Sequence, residues 1–286
     1  MIYRNKPEWL KIKIPSGPGC LKVKNIIREN HLHTVCDSAK CPNKEECWSK
    51  QTATFMILGD NCTRNCRFCA VQSNLPLSPD PDEPAHIAQA VNLLNLNYAV
   101  ITCVTRDDLP DGGADHWRKT IEAVRHLNPD CRIEVLISDL NGNTDDLDCI
   151  LSANPDVLGH NLETVERLYP LARPQANYER SLRILDHSSK KGFITKTGIM
   201  IGLGEKENEV VSLMKDAQLA GADILTIGQY LQPSKEHLSV IDYIKPSQFR
   251  TYEKNARAVG LKSVMSSPLV RSSYRAEDCY HAVLQQ

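Results

Sequence analysis

The sequence has no excess of charge of either sign, because its 286 residues carry 34 Lys and Arg against 35 Asp and Glu. The formal net charge of −1 provides no broad basic field for nucleic acid or an anionic membrane. Long apolar runs are also missing, since runs such as 55–58 and 99–102 are too short to cross a bilayer. Residues 1–20 lack the apolar region of a signal peptide. We therefore expect a cytoplasmic protein that binds neither nucleic acid nor membrane.

Cysteine, by contrast, is abundant, with eleven residues in the chain. In a reducing compartment these cysteines are not expected to pair as disulfides. Six of them fall between residues 36 and 69, in two groups of three. The remaining five are scattered, and we interpret them as small core or surface residues: Cys20, Cys103, Cys131, Cys149 and Cys279.

From residue 53 onwards, short apolar segments alternate with amphipathic segments of helical spacing, which indicates βα units and a parallel sheet. Strands are predicted at residues 54–58, 98–104, 132–137, 157–158, 193–201, 224–227 and 262–265. Helices are predicted at residues 23–30, 83–94, 114–127, 144–151, 178–190, 207–220 and 247–259. About six clear units fall short of the eight of a closed barrel. We therefore predict an α/β fold with a partial, open parallel βα barrel at residues 51–286 and an irregular N-terminal extension at residues 1–50.

Four unusual loops follow predicted strands of this barrel, at residues 59–69, 105–113, 159–163 and 202–205. In sheets of this kind the chemistry gathers at the carboxyl ends of the strands. Parallel strands would place all four loops on one rim, and we expect the active site there.

The first of these loops carries Cys62, Cys66 and Cys69 in the spacing C-x3-C-x2-C. Three thiolates can hold three irons of a cubane [4Fe–4S] cluster, which normally takes four ligands. No fourth cysteine completes the local motif, so one iron would be open to bind a small molecule. The alternative is a zinc site that borrows its fourth ligand from elsewhere, although structural zinc sites usually pair their cysteines as C-x2-C.

A second group of cysteines lies upstream, within the N-terminal extension. Cys36, Cys41 and Cys47 have the spacing C-x4-C-x5-C and again supply three thiolates. His31 and His33 lie nearby in the sequence, so a zinc site completed by one of them is the alternative to a cluster. Histidines near a chain end are, however, more often simply solvated.

The first cysteine motif resembles the signature of the radical S-adenosylmethionine superfamily, including an aromatic residue, Phe68, just before the last cysteine. The resemblance implies that the open iron chelates the amino and carboxylate groups of S-adenosylmethionine. It further implies reductive cleavage of the sulfonium to a 5′-deoxyadenosyl radical, which takes hydrogen from an unactivated C–H bond. The cofactor would carry this chemistry, while the barrel aligns it and excludes water.

The two cysteine motifs in this order, together with the run 53–60, resemble the lipoyl synthase family. The resemblance covers residues 30–276. Further matching segments are 105–113, 160–164, 196–205, 225–233 and 269–274. Gln175 and Ser267 stand where the family usually has glycine, and the start of the 105–113 segment also differs. These departures concern local loop geometry and remove no reactive group.

Near the end of the chain, residues 271–274 read Arg-Ser-Ser-Tyr. Taken alone, these serines suit the N-cap of a helix at residues 276–283. The family resemblance instead implies that one of them is the fourth ligand of an auxiliary [4Fe–4S] cluster held by the upstream cysteines. The matching position is Ser273, with Ser272 as the second choice. A hard alkoxide is a poor partner for a soft iron–sulfide cluster and should leave readily.

The resemblance also implies contacts to S-adenosylmethionine at other predicted strand ends. Asn161 and Glu163 would contact its ribose or methionine part, although they also suit an ordinary helix N-terminus. Arg173 would face the methionine carboxylate, since an arginine fork suits a carboxylate. Gly202 and Gly204 form a turn that would let the backbone approach the adenine, although such turns are common.

The charged loop at residues 106–108 allows two interpretations. It is either solvated surface, or a functional loop that docks the carrier domain or contacts S-adenosylmethionine. Both interpretations stay open on the sequence.

The family resemblance implies a sulfurtransferase that inserts two sulfur atoms, at C6 and C8, into an octanoyl chain. That chain would be in amide linkage to a lysine of a lipoyl-carrier domain, either the glycine cleavage H protein or a dehydrogenase E2 subunit. The implied cofactors are two [4Fe–4S] clusters and S-adenosylmethionine, with the auxiliary cluster consumed as the sulfur source. Ferredoxin or flavodoxin would supply the electrons.

Three other classes of protein share parts of this pattern. Another radical enzyme that inserts sulfur would share the first motif but lack the second motif together with Arg-Ser-Ser-Tyr. A two-cluster electron carrier would need neither a barrel nor an open iron. A zinc-stabilised binding module would hold a colourless metal and stay intact in air.

Overall fold

The computed structural model describes residues 6–11 and 18–286. Within these residues the chain forms an eight-stranded sheet whose strands follow the order of the sequence. The strands are β1 His33–Thr34, β2 Thr54–Ile57, β3 Tyr98–Cys103, β4 Arg132–Leu136, β5 Val157–Gly159, β6 Ile194–Ile201, β7 Ile224–Gln229 and β8 Ser263–Ser266. β2 to β8 pair in parallel, and β1 pairs antiparallel with β2.

Helices precede the sheet, connect its parallel strands and follow the last strand. The α-helices are α1 Pro18–Glu29, α2 Val35–Ser38, α3 Lys44–Ser49, α4 Glu83–Leu94, α5 Ala114–Leu127, α6 Thr144–Ser152, α7 Tyr169–Ala172, α8 Tyr178–Lys190, α9 Glu207–Leu219, α10 Pro246–Ala258 and α11 Ala276–Leu284. Short 3-10 helices are formed by Glu8–Leu10, Leu140–Gly142 and Glu166–Leu168. Across the described ranges, none of the helices combines the length and the apolar character that crossing a bilayer requires.

The sheet does not close on itself. Within residues 6–11 and 18–286, no strand pairing joins β8 to β1 or β2. The predicted α/β fold with a partial, open βα barrel is therefore confirmed. Because parallel strands end on the same edge of a sheet, the loops after β2, β3, β5 and β6 share one rim, as predicted.

The longest helices match the sequence pattern closely. The predicted helices at 83–94, 114–127 and 178–190 have the bounds of α4, α5 and α8. Each of them buries one face, so its apolar residues recur at helical spacing. The short elements β1, α2 and α3 were not predicted, because segments of two, four and six residues carry no period.

The strands present one face to the helices and the other to the barrel interior, because side chains alternate along a strand. On β3, Ala99 and Ile101 pack in the same core cluster as Trp117 of α5. Tyr98 and Val100 of the same strand pack instead with residues of α11 and with residues that begin β5 and β7. Helix α11 therefore covers the interior at the amino ends of the strands, and the carboxyl ends are left to the loops.

A buried ion pair lies inside the barrel. Lys196 Nζ on β6 contacts Glu134 Oε1 on β4 at 2.7 Å, and both side chains are 2% exposed. The Tyr98 hydroxyl donates to the other oxygen of Glu134, also at 2.7 Å. A buried pair of this kind is tolerated because its carboxylate is hydrogen-bonded on both oxygens.

The N-terminal elements pack against the first strands of the barrel. Val23 of α1 and Trp48 of α3 belong to the same core cluster as Phe55 of β2. A Cβ added to Gly19 would lie 2.5 Å from the carbonyl oxygen of Ser49, so α1 approaches α3 this closely only with glycine there. This packing holds the upstream cysteine segment beside β2.

After β8 the chain continues alongside β7 in the same direction. Ser267 N donates to Ile227 O, and Gln229 N donates to Pro268 O, both at 3.1 Å. A Cβ added to Gly228 would lie 2.1 Å from Val270 O, which requires glycine at this crossing. This path places the Arg-Ser-Ser-Tyr segment on the inner side of the open barrel.

Candidate active site

Cys62, Cys66 and Cys69 (the rim cysteines) lie in the loop after β2, at the carboxyl edge of the sheet. Four backbone hydrogen bonds hold this loop, one within the loop itself and three to other parts of the chain. They run from Cys62 N to Gln72 O (2.8 Å), Thr63 N to Thr105 O (3.0 Å), Arg67 N to Ala172 O (2.9 Å) and Leu238 N to Arg67 O (2.9 Å). The main chain around the three thiols is therefore fixed largely by its neighbours on the rim.

The rim thiols lie in an environment that fits iron–sulfur ligation. Cys62 Sγ accepts hydrogen bonds from the backbone amides of Arg64 and Thr105, each at 3.4 Å. Burial raises the pKa of Cys66 to about 11 and that of Cys69 to about 12. Thiols with such pKa values ionise at neutral pH only when a bound metal replaces the proton. Amide donors to sulfur are among the features that tune iron–sulfur clusters.

The arrangement of side chains argues against a site for a single ion. In the part of the chain that the structure describes, no group of three or more His, Cys, Asp or Glu side chains is arranged to hold one metal ion. A tetrahedral zinc site needs ligands converging on one point at about 2.0–2.3 Å. A cubane instead spreads its thiolates over separate irons. Among the described residues no such convergence is found for the zinc alternatives, including those completed by His31 or His33.

Asn161, Glu163 and Arg173 form one hydrogen-bonded group after β5. Asn161 Nδ2 donates to Glu163 Oε1 and to Ser272 Oγ, each at 3.0 Å. Arg173 Nη1 donates to the backbone oxygen of Asn161 at 2.8 Å. After burial, the charges of Arg173 and Glu163 are the next largest influences on the pKa of Cys66, which places this group beside the rim cysteines.

This group contains polar atoms that lack a protein partner. Asn161 Oδ1 and Arg173 Nε are buried without a hydrogen bond among the described residues. Glu163 adopts φ 67°, which is uncommon for a residue with a side chain. Burial raises the pKa of Glu163, against the opposing charge of Arg173. Since buried polar atoms are nearly always hydrogen-bonded, the group fits a polar ligand such as S-adenosylmethionine.

The glycine turn after β6 packs against the protein's own chain. A Cβ added to Gly202 would lie 2.2 Å from Gln229 Nε2 and 2.6 Å from Asp242 O. Gly202 has φ 105° and Gly204 has φ 102°, so both adopt a conformation that favours glycine. Beside Gly204 the nearest atoms to an added Cβ are 3.6 Å away. Packing against Gln229 and Asp242 therefore explains why position 202 requires glycine. An adenine contact at this turn stays a prediction.

A second site lies between the N-terminal elements and the segment after β8. A cavity of about 310 Å³ (the lateral cavity) is lined by Cys36, Cys41, Cys47 and Ser273, with Arg271 beside them. Inner-face residues of the first parallel strands complete its wall: Thr54, Tyr98 and Val100. The structure thus brings the four predicted auxiliary ligands around one space that borders the barrel interior.

The lateral thiols resemble the rim thiols in their electrostatics. Burial raises the pKa of all three, and for Cys47 the neighbouring Cys36 and Cys41 help to raise it to about 12. The guanidinium of Arg271 and the backbone of Asn43 act in the opposite direction on Cys41. One buried thiol, two half-buried thiols and one hydroxyl supply the four ligands that a closed cubane needs, so these residues fit such a cluster.

The two serines of the Arg-Ser-Ser-Tyr segment face different sites. Ser272 Oγ accepts the hydrogen bond from Asn161 and is absent from the lining of the lateral cavity. Ser273 lines that cavity. The alternative that a serine caps α11 is wrong, since the N-cap residue is Arg275 and no side chain caps the helix there. The chain reaches this N-cap in a left-handed conformation with φ 51°.

Sequence reasoning missed Arg64, which lies inside the first cysteine motif. Arg64 is 5% exposed, and its guanidinium contacts Asp107 through Nε and Asp139 through Nη2, both at 2.7 Å. Asp139 also receives Arg180 Nε at 2.8 Å. Although burial alone would raise it, hydrogen bonding to Arg64 holds the pKa of Asp139 down to about 2. This buried network ties the rim loop to the loops after β3 and β4.

The network also includes part of the loop at residues 106–108. Arg106 is 2% exposed; its guanidinium pairs with Asp108 at 2.8 Å and donates to Leu58 O at 3.1 Å. Asp107 is the partner of Arg64. The interpretation as solvated surface is wrong for Arg106, because these charges pair with each other and with the rim loop. Two features of the sequence could have predicted this pairing. One is the basic residue Arg64 between the cysteines, and the other is the acidic loop after β3.

The five scattered cysteines pack against apolar cores. Cys131 and Cys279 are buried, and Cys20, Cys103 and Cys149 are half-buried beside the largest core cluster. The described chain contains no disulfide. Their interpretation as small packing residues is confirmed.

Comparison with known proteins adds two matching family models. Residues 56–217 match the radical SAM superfamily. Residues 3–41 match the N-terminal domain of lipoyl synthase of the radical SAM family. The two matches lie in the barrel and in the segment ahead of it, respectively.

Individual relatives are similar over nearly the whole chain. A lipoyl synthase of Caldicellulosiruptor saccharolyticus is 51% identical over 280 residues, which cover 97% of this chain and 98% of the relative. A lipoyl synthase of Parabacteroides distasonis is 50% identical over 275 residues, covering 96% and 98%.

Solved structures of low identity share the fold. HydG, a maturase of the [FeFe]-hydrogenase, superposes with a TM-score of 0.61 at 15% identity, covering 92% of this chain and 66% of HydG. SuiB of Streptococcus suis, bound to S-adenosylmethionine, superposes with a TM-score of 0.56 at 10% identity. That match covers 75% of this chain, which spans about half of SuiB (51%).

Proposed function

This chain belongs to the lipoyl synthase family of the radical S-adenosylmethionine superfamily, and we propose that it acts in the cytoplasm as a sulfurtransferase. Membership implies one [4Fe–4S] cluster and S-adenosylmethionine. When bound, these supply a 5′-deoxyadenosyl radical that can take hydrogen from an unactivated C–H bond. The residues of this chain hold, space and shield the reactants.

The rim cysteines would hold three irons of that cluster and leave the fourth open. This role is supported by their half-buried thiols, by the two amide donors to Cys62 and by the nearby polar atoms that lack a partner among the described residues. No fourth cysteine lies in the same loop.

S-adenosylmethionine would lie beside the rim cysteines, against the group after β5. Asn161 and Glu163 would bind its ribose or methionine part, and Arg173 its carboxylate. The unpaired Asn161 Oδ1 and Arg173 Nε support this placement, because a polar ligand would complete their hydrogen bonds. Gly202 and Gly204 would pass near the adenine.

The lateral cavity would hold a second [4Fe–4S] cluster, which serves as the sulfur donor and is consumed. Cys36, Cys41, Cys47 and Ser273 would be its ligands, at the end of an N-terminal extension of residues 1–50 that precedes the barrel of residues 51–286. A serine oxygen is a hard ligand on a soft cluster, so it is the one most easily released when a sulfide leaves.

The substrate would be an octanoyl chain in amide linkage to a lysine of a carrier domain, the glycine cleavage H protein or a dehydrogenase E2 subunit. Two sulfur atoms would be inserted, at C6 and C8. The acyl chain must pass between the rim and the lateral cavity, because catalysis by proximity needs each reacting carbon within contact distance of both partners. Ferredoxin or flavodoxin would supply the electrons.

The observation that carries this proposal is the grouping of Cys36, Cys41, Cys47 and Ser273 around one cavity on the inner side of the barrel. An electron carrier has no need for a cavity that borders a barrel interior. Another radical enzyme that inserts sulfur remains the alternative if the octanoyl substrate is wrong.

The test is anaerobic incubation of the reconstituted protein with an octanoylated carrier peptide, S-adenosylmethionine and a strong reductant. The expected product is a peptide in which two hydrogens are replaced by two sulfurs, with two 5′-deoxyadenosines released. Mass spectrometry of the peptide and chromatography of the nucleoside measure these products.

Two other outcomes would redirect the proposal. Formation of 5′-deoxyadenosine without sulfur in the peptide would keep the radical chemistry and reject the substrate. Absence of both products from protein that holds two clusters would favour the electron carrier.

A further inference from the structure

The lateral cavity is built from two segments, and backbone hydrogen bonds are not what holds these segments together. Among the described residues, no backbone-to-backbone hydrogen bond links residues 36–53 to residues 267–278. Side chains make the connection instead. Asn43 Nδ2 donates to Leu269 O at 2.7 Å, and the Tyr274 hydroxyl donates to Glu46 at 3.2 Å. The first of these bonds spans 226 positions of the sequence.

Asn43 differs from the other connection in its surroundings. Asn43 is 5% exposed, so its bond to Leu269 is shielded from water. Glu46 is 44% exposed at its side chain and also pairs with Lys50 at 3.1 Å. A solvated group shared between two partners holds geometry weakly, whereas a buried amide with a single acceptor holds it well.

Asn43 also contacts the upstream ligands through its main chain. Its carbonyl oxygen accepts from Cys47 N at 2.9 Å, and its backbone hydrogen-bonds to the Cys41 thiol. One residue thus combines main-chain contacts to two thiol ligands with a side-chain contact four residues before Ser273.

We propose that Asn43 is a positioning residue that holds Ser273 on the lateral cavity that the three thiols also line. The proposal rests on the proposed second cluster. The side chain of Asn43 would affect the cluster by fixing the position of Ser273, whereas the backbone of Asn43 contacts Cys41 and Cys47 directly.

The test removes only the side-chain donor. In Asn43→Asp the shape is kept, but a carboxylate oxygen replaces Nδ2 and faces the carbonyl of Leu269. The main-chain contacts to Cys41 and Cys47 stay. We expect the three thiolate ligands to remain and the serine ligand to be lost, so that iron leaves the site faster.

The measurement uses the full chain with Cys62→Ala, Cys66→Ala and Cys69→Ala, so that only the lateral site can hold a cluster. The probe is the rate at which an iron chelator removes iron, followed by absorbance, with Mössbauer spectra reporting oxygen or sulfur ligation. Asn43→Asp should raise the chelation rate about tenfold, the size expected for one lost buried hydrogen bond. Asn43→Ala should act in the same direction.

A double-mutant cycle identifies the residue through which Asn43 acts. In a Ser273→Ala background, Asn43→Asp should have no further effect on the chelation rate, because the ligand it positions is already gone. Asn128→Asp is the matched control, since Asn128 Nδ2 also donates to a backbone oxygen, that of Ala88 at 3.0 Å, away from both sites. It should leave the rate unchanged.

Each contrary result has a separate meaning. If the variant without rim cysteines binds no iron at all, the second cluster is wrong and the role of Asn43 falls with it. If the variant without rim cysteines binds iron, and adding Asn43→Asp leaves the rate of iron removal unchanged, only the role of Asn43 is overturned. An equal acceleration in the Ser273→Ala background would overturn the assignment to the serine.

Discussion

The rim cysteines and the lateral cavity present the same chemistry, three thiols each, on different frameworks. Three backbone hydrogen bonds to other parts of the chain hold the rim loop. The two halves of the lateral cavity are joined by the side chains of Asn43 and Tyr274. The first framework suits a cofactor that stays in place. The second suits the proposed sulfur donor, which would be consumed and replaced, because side-chain contacts can open without unfolding the barrel.

The largest expected effect separates the two sets of thiols. Cys66→Ala should abolish 5′-deoxyadenosine formation, since the radical cluster loses a ligand. Cys41→Ala should keep that activity and lose sulfur transfer to the peptide. Each variant should bind about half of the iron, as one of two [4Fe–4S] clusters is lost. Nucleoside chromatography, peptide mass spectrometry and iron analysis check this, and Cys149→Ala should behave as the parent. Equal loss of nucleoside in both variants would mean that the sites do not act separately.

The second prediction sharpens the comparison within one dipeptide. Ser273→Ala should lower sulfur insertion about a hundredfold at an unchanged KM for S-adenosylmethionine, because it faces the lateral cavity. Ser272→Ala should raise that KM about fivefold, the size of one lost hydrogen bond, since Ser272 supports Asn161. Because the proposed sulfur donor is consumed, single-turnover kinetics of both products over a series of S-adenosylmethionine concentrations measure the two effects. If the two variants exchange these phenotypes, the assignment of the serines is reversed.

A smaller effect is expected from the ion pairs of Arg64 with Asp107 and Asp139, which hold the rim loop in place. Arg64→Lys should lower kcat for 5′-deoxyadenosine formation about tenfold, because an ammonium group cannot bridge Asp107 and Asp139 as a planar fork does. The electron paramagnetic resonance spectrum of the reduced rim cluster should broaden. Arg118→Lys is the control, since Arg118 forms exposed ion pairs on α5. An unchanged kcat and spectrum in Arg64→Lys would show that the backbone bonds alone position the loop.

The last expected effect, confined to acid pH, is on stability rather than on activity. The pKa of Asp139 is held down to about 2 in the folded chain, so its contribution is present above its ordinary pKa of about 4. It is lost as the pH falls from about 4 through 2, by about 2 kcal/mol. Urea unfolding of the cluster-free protein should show this loss, and Asp139→Asn should flatten that part of the profile. A profile that keeps its slope in Asp139→Asn would assign the loss to other carboxyl groups.

Much of the barrel could be predicted because its long elements repeat a simple pattern. Helices such as α4 and α5 bury one face over three turns or more, so periodicity finds their ends. The strand β1 and the helix α3 are too short to carry a period, and packing against α1 and β2 decides them. Tertiary contact, and not local preference, forms those elements.

The candidate site likewise has features that the local sequence predicts and features that only tertiary contacts decide. Cysteine spacing is local, so both thiol groups could be read from the sequence. The bond between Arg64 and Asp139 spans 75 positions, and that between Asn43 and Leu269 spans 226. Such contacts depend on which loops meet on the rim or beside the cavity, and no single segment encodes them. For this reason the loop at residues 106–108 was open to misinterpretation until its partners were known.

The distance between the two halves of the lateral cavity has a consequence for biosynthesis. Ser273 lies 226 positions after Cys47. At a translation rate of roughly 5–20 residues per second, the ribosome needs roughly 10–45 s to cover that stretch. During this time the upstream thiols belong to a nascent chain whose proposed fourth ligand has not yet been made. Loading of the proposed second cluster would therefore be a late event in the life of each newly made molecule.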